Sequence, residues 1–222
     1  VLKKQKKELK PIDLKKVKTY SIKKRKNLFK SEQFGKPIES KDFNKFIDSL
    51  PKILAANDLR NVIDNIVKAH RKNRPVVLAL GAHVIKCGLS PLVIDLMKRG
   101  IITAVAMNGS GAIHDYEISL IGETSEDVSH SLKDGSFGMA KETAEAIQAA
   151  ASVPDSGLGR ALGNKILKDK NKHRKDSILA VGAQLKIPVT VHVAVGTDII
   201  HMHPCVSGSD IGESSHIDFK LL

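Results

Sequence analysis

Tryptophan is absent from the 222 residues, and aromatic side chains of all kinds make up only 4% of them. A chain so poor in flat rings offers few platforms for stacking single-stranded bases. Thiols are nearly as scarce. Cys87 and Cys205 stand far apart and form no Cys-x-x-Cys, which excludes a disulfide framework and predicts two reduced thiols in a cytoplasmic protein. Long apolar runs are missing too: none approaches the ~20 residues that span a bilayer, and none follows the opening lysines, so neither export nor membrane insertion is expected.

Positive charge is in excess, with 36 Lys and Arg against 24 Asp and Glu and a net charge of +12. Counterion release rewards such an excess when it tracks phosphates. Here much of it lies between Lys3 and Lys30 and between Lys165 and Lys175, stretches whose only aromatic residues are Tyr20 and Phe29. A solvated basic surface is the better reading, and nucleic acid is not an expected partner. Residues 1–50, rich in Lys and broken by Pro11, Gly35 and Pro37, read as a basic arm. Residues 51–222 read as one domain, since 41% hydrophobic content over the chain suffices for one full core.

Three short apolar segments share one grammar. Val76–Leu80 runs into Gly81-Ala82-His83, Ile101–Met107 into the turn Asn108-Gly109-Ser110-Gly111, and Val189–Val195 into Gly196-Thr197-Asp198. Such runs are buried parallel strands that deliver their carboxyl ends to a crevice. Helices are predicted between them. Asn57-Asp58 caps an amphipathic helix carrying Leu59, Val62, Ile63, Ile66 and Val67 and ending near His70. Ser90-Pro91 opens another that Gly100 closes, and further helices are expected over 112–121, from about 124, and over 139–151, 158–168 and 177–185. The segments 207–210 and 213–215 read as loop. The fold class is α/β, a doubly wound, mostly parallel sheet with helices on both faces.

At Asn108–Gly111 a strand passes into a helix, a place where backbone amides and the helix dipole favour phosphate. His83, His114, His192, His201 and His203 all fall in or near strand ends. With no acidic third ligand at recognisable spacing, they read as hydrogen-bonding groups rather than metal ligands. Asp198, Asp210 and Glu213 suit contact with a cationic amine. His114 and Asp115 are neighbours on a helix and cannot face one another.

Three blocks carry a family resemblance: residues 81–89, residues 108–115, and residues 187–201. Over about 55–222 the chain resembles the deoxyhypusine synthase family, most closely its bacterial deoxyhypusine synthase-like branch. The resemblance implies NAD as cofactor and transfer of an aminobutyl-type group from a polyamine such as spermidine to an amine acceptor, for which a protein lysine and a small polyamine both suit the mechanism. It places cofactor contacts at Gly81, Ala82, His83, Asn108, Gly109, Ser110 and Gly111, and substrate contacts at His114, Asp115, Asp198, His201 and His203. A homotetramer is implied as well. The family continues past this point into a segment bearing its catalytic lysine, so the resemblance implies that the 51–222 domain is incomplete, with no catalytic residue assignable. The chain departs from the family in having Gly81-Ala82-His83 where a Thr-Ser-Asn run is usual and His114-Asp115 where paired acids are usual. The alternative is a nucleotide-binding protein of the same fold without the transfer chemistry.

Overall fold

The computed structural model describes residues 15, 17–26, 28, 30–38 and 41–222, and part of the expected basic arm lies outside them. The chain divides into two units, Val1–Val62 and Ile63–Leu222. In the first, α1 (Phe43–Ser49) begins where the Asp42 carboxylate accepts from the Asn44 amide at 2.8 Å. The Arg60 guanidinium donates to the carbonyls of Ile47, Leu50 and Pro51, satisfying acceptors that the end of α1 leaves over. Arg60 belongs to α2 (Leu54–Arg71), which starts before the expected Asn57-Asp58 cap and contains the division between the units. The apolar stripe of α2 is present, but Leu59, Val62, Ile63 and Val67 are exposed.

The second unit is built on a parallel sheet of three strands. These are β1 (Val77–Leu80), β2 (Ala104–Asn108) and β3 (Val189–His192), in the order β1-β2-β3. Val77 pairs with Ala104, and Val105 with Val189, which brings the three carboxyl ends level. The order follows the sequence without reversal among the described residues. β2 and β3 carry the core, with Val105 and Val191 fully buried. β1 corrects the expectation of a strand covered on both faces, because its residues alternate between exposed and half-buried and Val77 is open to solvent.

After β1 come α3 (Ala82–Lys86) and α4 (Ser90–Lys98); after β2 come α5 (Gly109–Ile121), α6 (Val128–Ser131), α7 (Lys141–Ala151), α8 (Leu158–Lys168) and α9 (Ile178–Leu185). Glycines let α8 lie close to its neighbours. A Cβ on Gly159 would strike the Val189 carbonyl, and one on Gly163 the Leu179 carbonyl. Only glycine permits such approaches.

Following β3, a 3₁₀ turn over Ile199–Met202 leads to α10 (Gly208–Leu221), which replaces the loops expected at 207–210 and 213–215. Ser207 caps it by accepting from the Asp210 amide. Ile211, Ser214, Ser215 and Asp218, spaced i, i+3, i+4 and i+7, form its buried face. Along β3, the Asp218 Oδ2 accepts from the amides of Val191 and Gly159, both at 2.8 Å. Ser215 Oγ accepts from Val193 N at 2.9 Å and donates to the Val191 carbonyl. No helix among the described residues is long and apolar enough to cross a membrane.

Candidate active site

The first two strand ends do not form the turns that their glycines suggest, whereas Gly196 after the third lies in a turn with a positive φ. Gly81 is the extended N-cap of α3, and Gly109 is already the first residue of α5. Asn108 caps α5, its Oδ1 accepting from the Gly111 amide at 2.9 Å. Gly109 and Gly111 are buried and are small for internal reasons. A Cβ on Gly109 would collide with the Asp198 carboxylate, and one on Gly111 would lie 3.1 Å from Met107 Cβ. Asp198 is itself held by the Ala194 amide, which donates to Oδ2 at 3.1 Å. A carboxylate of the protein thus already sits at the start of α5, where the dipole is positive.

One turn further along α5 a cleft of about 530 Å³ opens. Ser110, His114 and Glu117 reach it from a single helical stripe, at i, i+4 and i+7. Glu123, Thr124, Ser125 and Glu126 of the following loop, Thr143 of α7 and Lys86 of α3 complete its polar lining, and Ile113, Phe137 and Ile199 supply apolar wall. Four of these side chains are wired together. His114 Nδ1 lies 2.6 Å from Thr124 Oγ1, and Thr124 Oγ1 donates to Glu117 Oε2 at 2.5 Å. Thr143 Oγ1 donates to the other carboxylate oxygen at 3.2 Å. Burial lowers the proton affinity of His114; Glu117 opposes that effect, while Lys86 and His83 add to it.

Of the residues expected to touch ligand, only Ser110 and His114 line this cleft. Gly81 and Asn108 meet at the strand ends, where a Cβ on Gly81 would find Asn108 Nδ2 at 3.8 Å. Ala82 is buried and His83 is exposed on α3. Asp115 points the other way and is fully buried. Its carboxylate accepts from Ser177 Oγ and from the amides of Ile178 and Leu179, capping α9 in the core. Its expected substrate contact is therefore corrected: every one of those bonds serves the fold.

His192 bonds Thr190 Oγ1, and His203 Nδ1 lies 3.1 Å from Cys205 Sγ. The buried Nε2 of His201 has no protein partner. No group of three His, Cys, Asp or Glu side chains among the described residues is arranged to hold a metal ion. Asp210 is engaged by Gln148 and Ser152 at the start of α10, and neither it nor Glu213 lines the cleft. Glu117, Thr124 and Thr143 escaped the sequence reading. Helical spacing from Ser110 and His114 could have found Glu117, but the two threonines join only through tertiary structure.

Neither a protein-family profile nor a curated protein sequence matches the chain. Among solved structures, similarity extends to the apo crystal structure of ArgZ, an arginine dihydrolase from the ornithine–ammonia cycle in cyanobacteria. The two share 17% identity and a TM-score of 0.42, over 62% of this chain and 18% of that one. This chain therefore spans under a fifth of that structure's length, and likeness at this level carries no argument about activity.

Proposed function

We propose that the second unit is an NAD-dependent transferase similar to the deoxyhypusine synthases, and that its cleft receives a cationic polyamine. The observation that carries this reading is the acidic balance of the cleft: Glu117, Glu123 and Glu126 against the single cation Lys86. In a chain of net charge +12, a local excess of carboxylates selects for ammonium groups. Ile113, Phe137 and Ile199 suit the methylene segments between them.

The residues also fit part of a dinucleotide. Asp198 over Gly109 disfavours a phosphate at that point but matches ribose hydroxyls, which donate to a carboxylate. Asn108 and the open backbone at Gly81 flank it. When bound, NAD supplies a hydride acceptor. The chain's part is to hold the amine along the acidic wall and to keep water from its reacting end. We place this chemistry on a doubly wound layout with helices on both faces of the sheet. The acceptor is a second amine, on a protein lysine or a small polyamine.

Calorimetry with spermidine tests the cleft. Wild-type protein should bind it, and Glu123→Gln combined with Glu126→Gln should weaken binding roughly tenfold, with thermal unfolding reporting any structural loss. No binding, or equal binding by the double variant, would reject the reading. The seated Asp198 carboxylate favours a second reading, a nucleotide-binding protein without transfer chemistry. NAD binding that never yields NADH in the presence of spermidine would select it.

A further inference from the structure

A second cavity, of about 310 Å³, lies between α8, the end of α9 and the approach to β3, and it shares no lining residue with the first cleft. Its polar groups are few. Arg160 and Asn164, one turn apart on α8, line it together with Lys186, the left-handed cap of α9. All three residues are exposed. None of their side chains has a hydrogen bond or ion pair among the described residues.

Leu179, Ile187, Val189 and Leu221 give the cavity an apolar wall, and no acid lines it among the described residues. The backbone amides beside that wall are already committed. Gly159 donates to Asp218 Oδ2 and Ile187 to the Gly182 carbonyl, while Pro188 has no N–H to offer. The guanidinium and the ammonium can only donate, and Asn164 can turn its amide group to do the same. An occupant must therefore bring acceptor oxygens, negative charge and an apolar body. We propose that this cavity binds a small aliphatic carboxylate, with its oxygens on Arg160, Lys186 and Asn164 and its alkyl chain against Leu179, Val189 and Leu221. Its preference in charge is the reverse of that of the first cleft.

Two features separate this ligand from a bare phosphate. Most of the lining is apolar, and methylene groups remove it from water where phosphate oxygens would not. A planar carboxylate also matches the fork of the Arg160 guanidinium. Asp218 lies behind the wall, and burial raises its proton affinity while Arg160 is among the groups that oppose the rise. Arg160 acts on it without pairing with it, so the guanidinium donors stay open. Lys186 has a further effect, since its charge offsets the negative end of the α9 dipole, which would otherwise repel an anion.

Amide NMR of the full chain titrated with sodium hexanoate reads the site directly. Saturable shifts should appear at Leu179, Ala183 and Val189, with a Kd of about 1 mM or tighter for a ligand of so few atoms. Arg160→Gln combined with Lys186→Gln should weaken binding roughly tenfold. Both side chains are exposed and unpartnered, so the thermal midpoint of this double variant should stay at the wild-type value. Ala183→Leu, which fills the cavity and keeps both cations, should abolish the shifts. Hexylammonium, with the same alkyl chain and the opposite charge, should leave these amides unmoved. The proposal is overturned by any of four results: no saturable shift by about 10 mM hexanoate, equal binding by the double variant, the same shifts with hexylammonium, or inorganic phosphate binding as tightly as hexanoate. The last would show that the apolar wall takes no part.

Discussion

Asp115 and His114 are adjacent in sequence and serve opposite purposes. Burial pushes the Asp115 carboxyl up to about 6 from 3.8, against the opposing pull of its bonds to Ser177, Ile178 and Leu179. The folded chain therefore holds the proton between those values while the unfolded chain releases it. Stability contributed at this residue rises as pH falls from about 6 toward 4 and is lowest above 6. Denaturant unfolding of wild type and Asp115→Asn across this window should show the wild type gaining relative to the variant as the solution is acidified. A flat difference would refute the assignment. Asp115→Ala should cost on the order of 3 kcal/mol at neutral pH, because it strands buried donors at the start of α9. At this scale the sequence revealed His114 as a candidate but misjudged Asp115, since identity and neighbourhood do not say which side of a helix faces the core.

Among the elements, α8 and α10 show what local pattern reveals and hides. The expected bounds of α8 coincide with the observed ones because its apolar periodicity is intact between Gly157 and Asp169. In α10 the buried face is mostly Ser and Asp, residues that alone favour caps and turns, so it read as loop. Its helical state depends on β3. The glycines after β1 and β2 misled in the other direction: they start helices, and at Gly109 and Gly111 their smallness answers to Asp198 and Met107. The same logic makes Gly159 a sharp test. Gly159→Ala would force α8 away from the Val189 carbonyl and should destabilise the protein by about 3 kcal/mol, measured by chemical unfolding, whereas Ala at the open Gly208 should change little.

For the whole molecule, the order of chemistry along α5 organises the second unit. One stripe of the helix addresses the cleft through Ser110, His114 and Glu117, and another ties into the core through Asp115 and Ser119. Ser119 accepts from Asn171 Nδ2 at 2.8 Å, and its carbonyl accepts from the His173 amide, so the segment before α9 is fastened to the same helix that lines the cleft. The α/β class and the parallel strands could be read from the sequence because short apolar runs repeat with one grammar. The cleft could not, because it is assembled from α3, α5, α6, α7, the loops between α5 and α7 and the turn after β3, whose residues lie far apart in the chain.

The bonds that Asp218 and Ser215 make to β3 have a consequence beyond this one chain. A strand at the margin of a sheet is a template on which another molecule's strand can zip up. Here two side chains of a helix imitate that missing neighbour, taking the Val191 and Val193 amides and the Val191 carbonyl out of reach. Asp218→Leu together with Ser215→Ala should lay this margin bare. Light scattering well below the melting temperature should then show concentration-dependent growth of species larger than any formed by the wild type, and an unchanged size distribution would show that the margin needs no such guard. On this account Asp218, a costly buried acid whose Oδ1 has no partner, protects solubility as well as the fold.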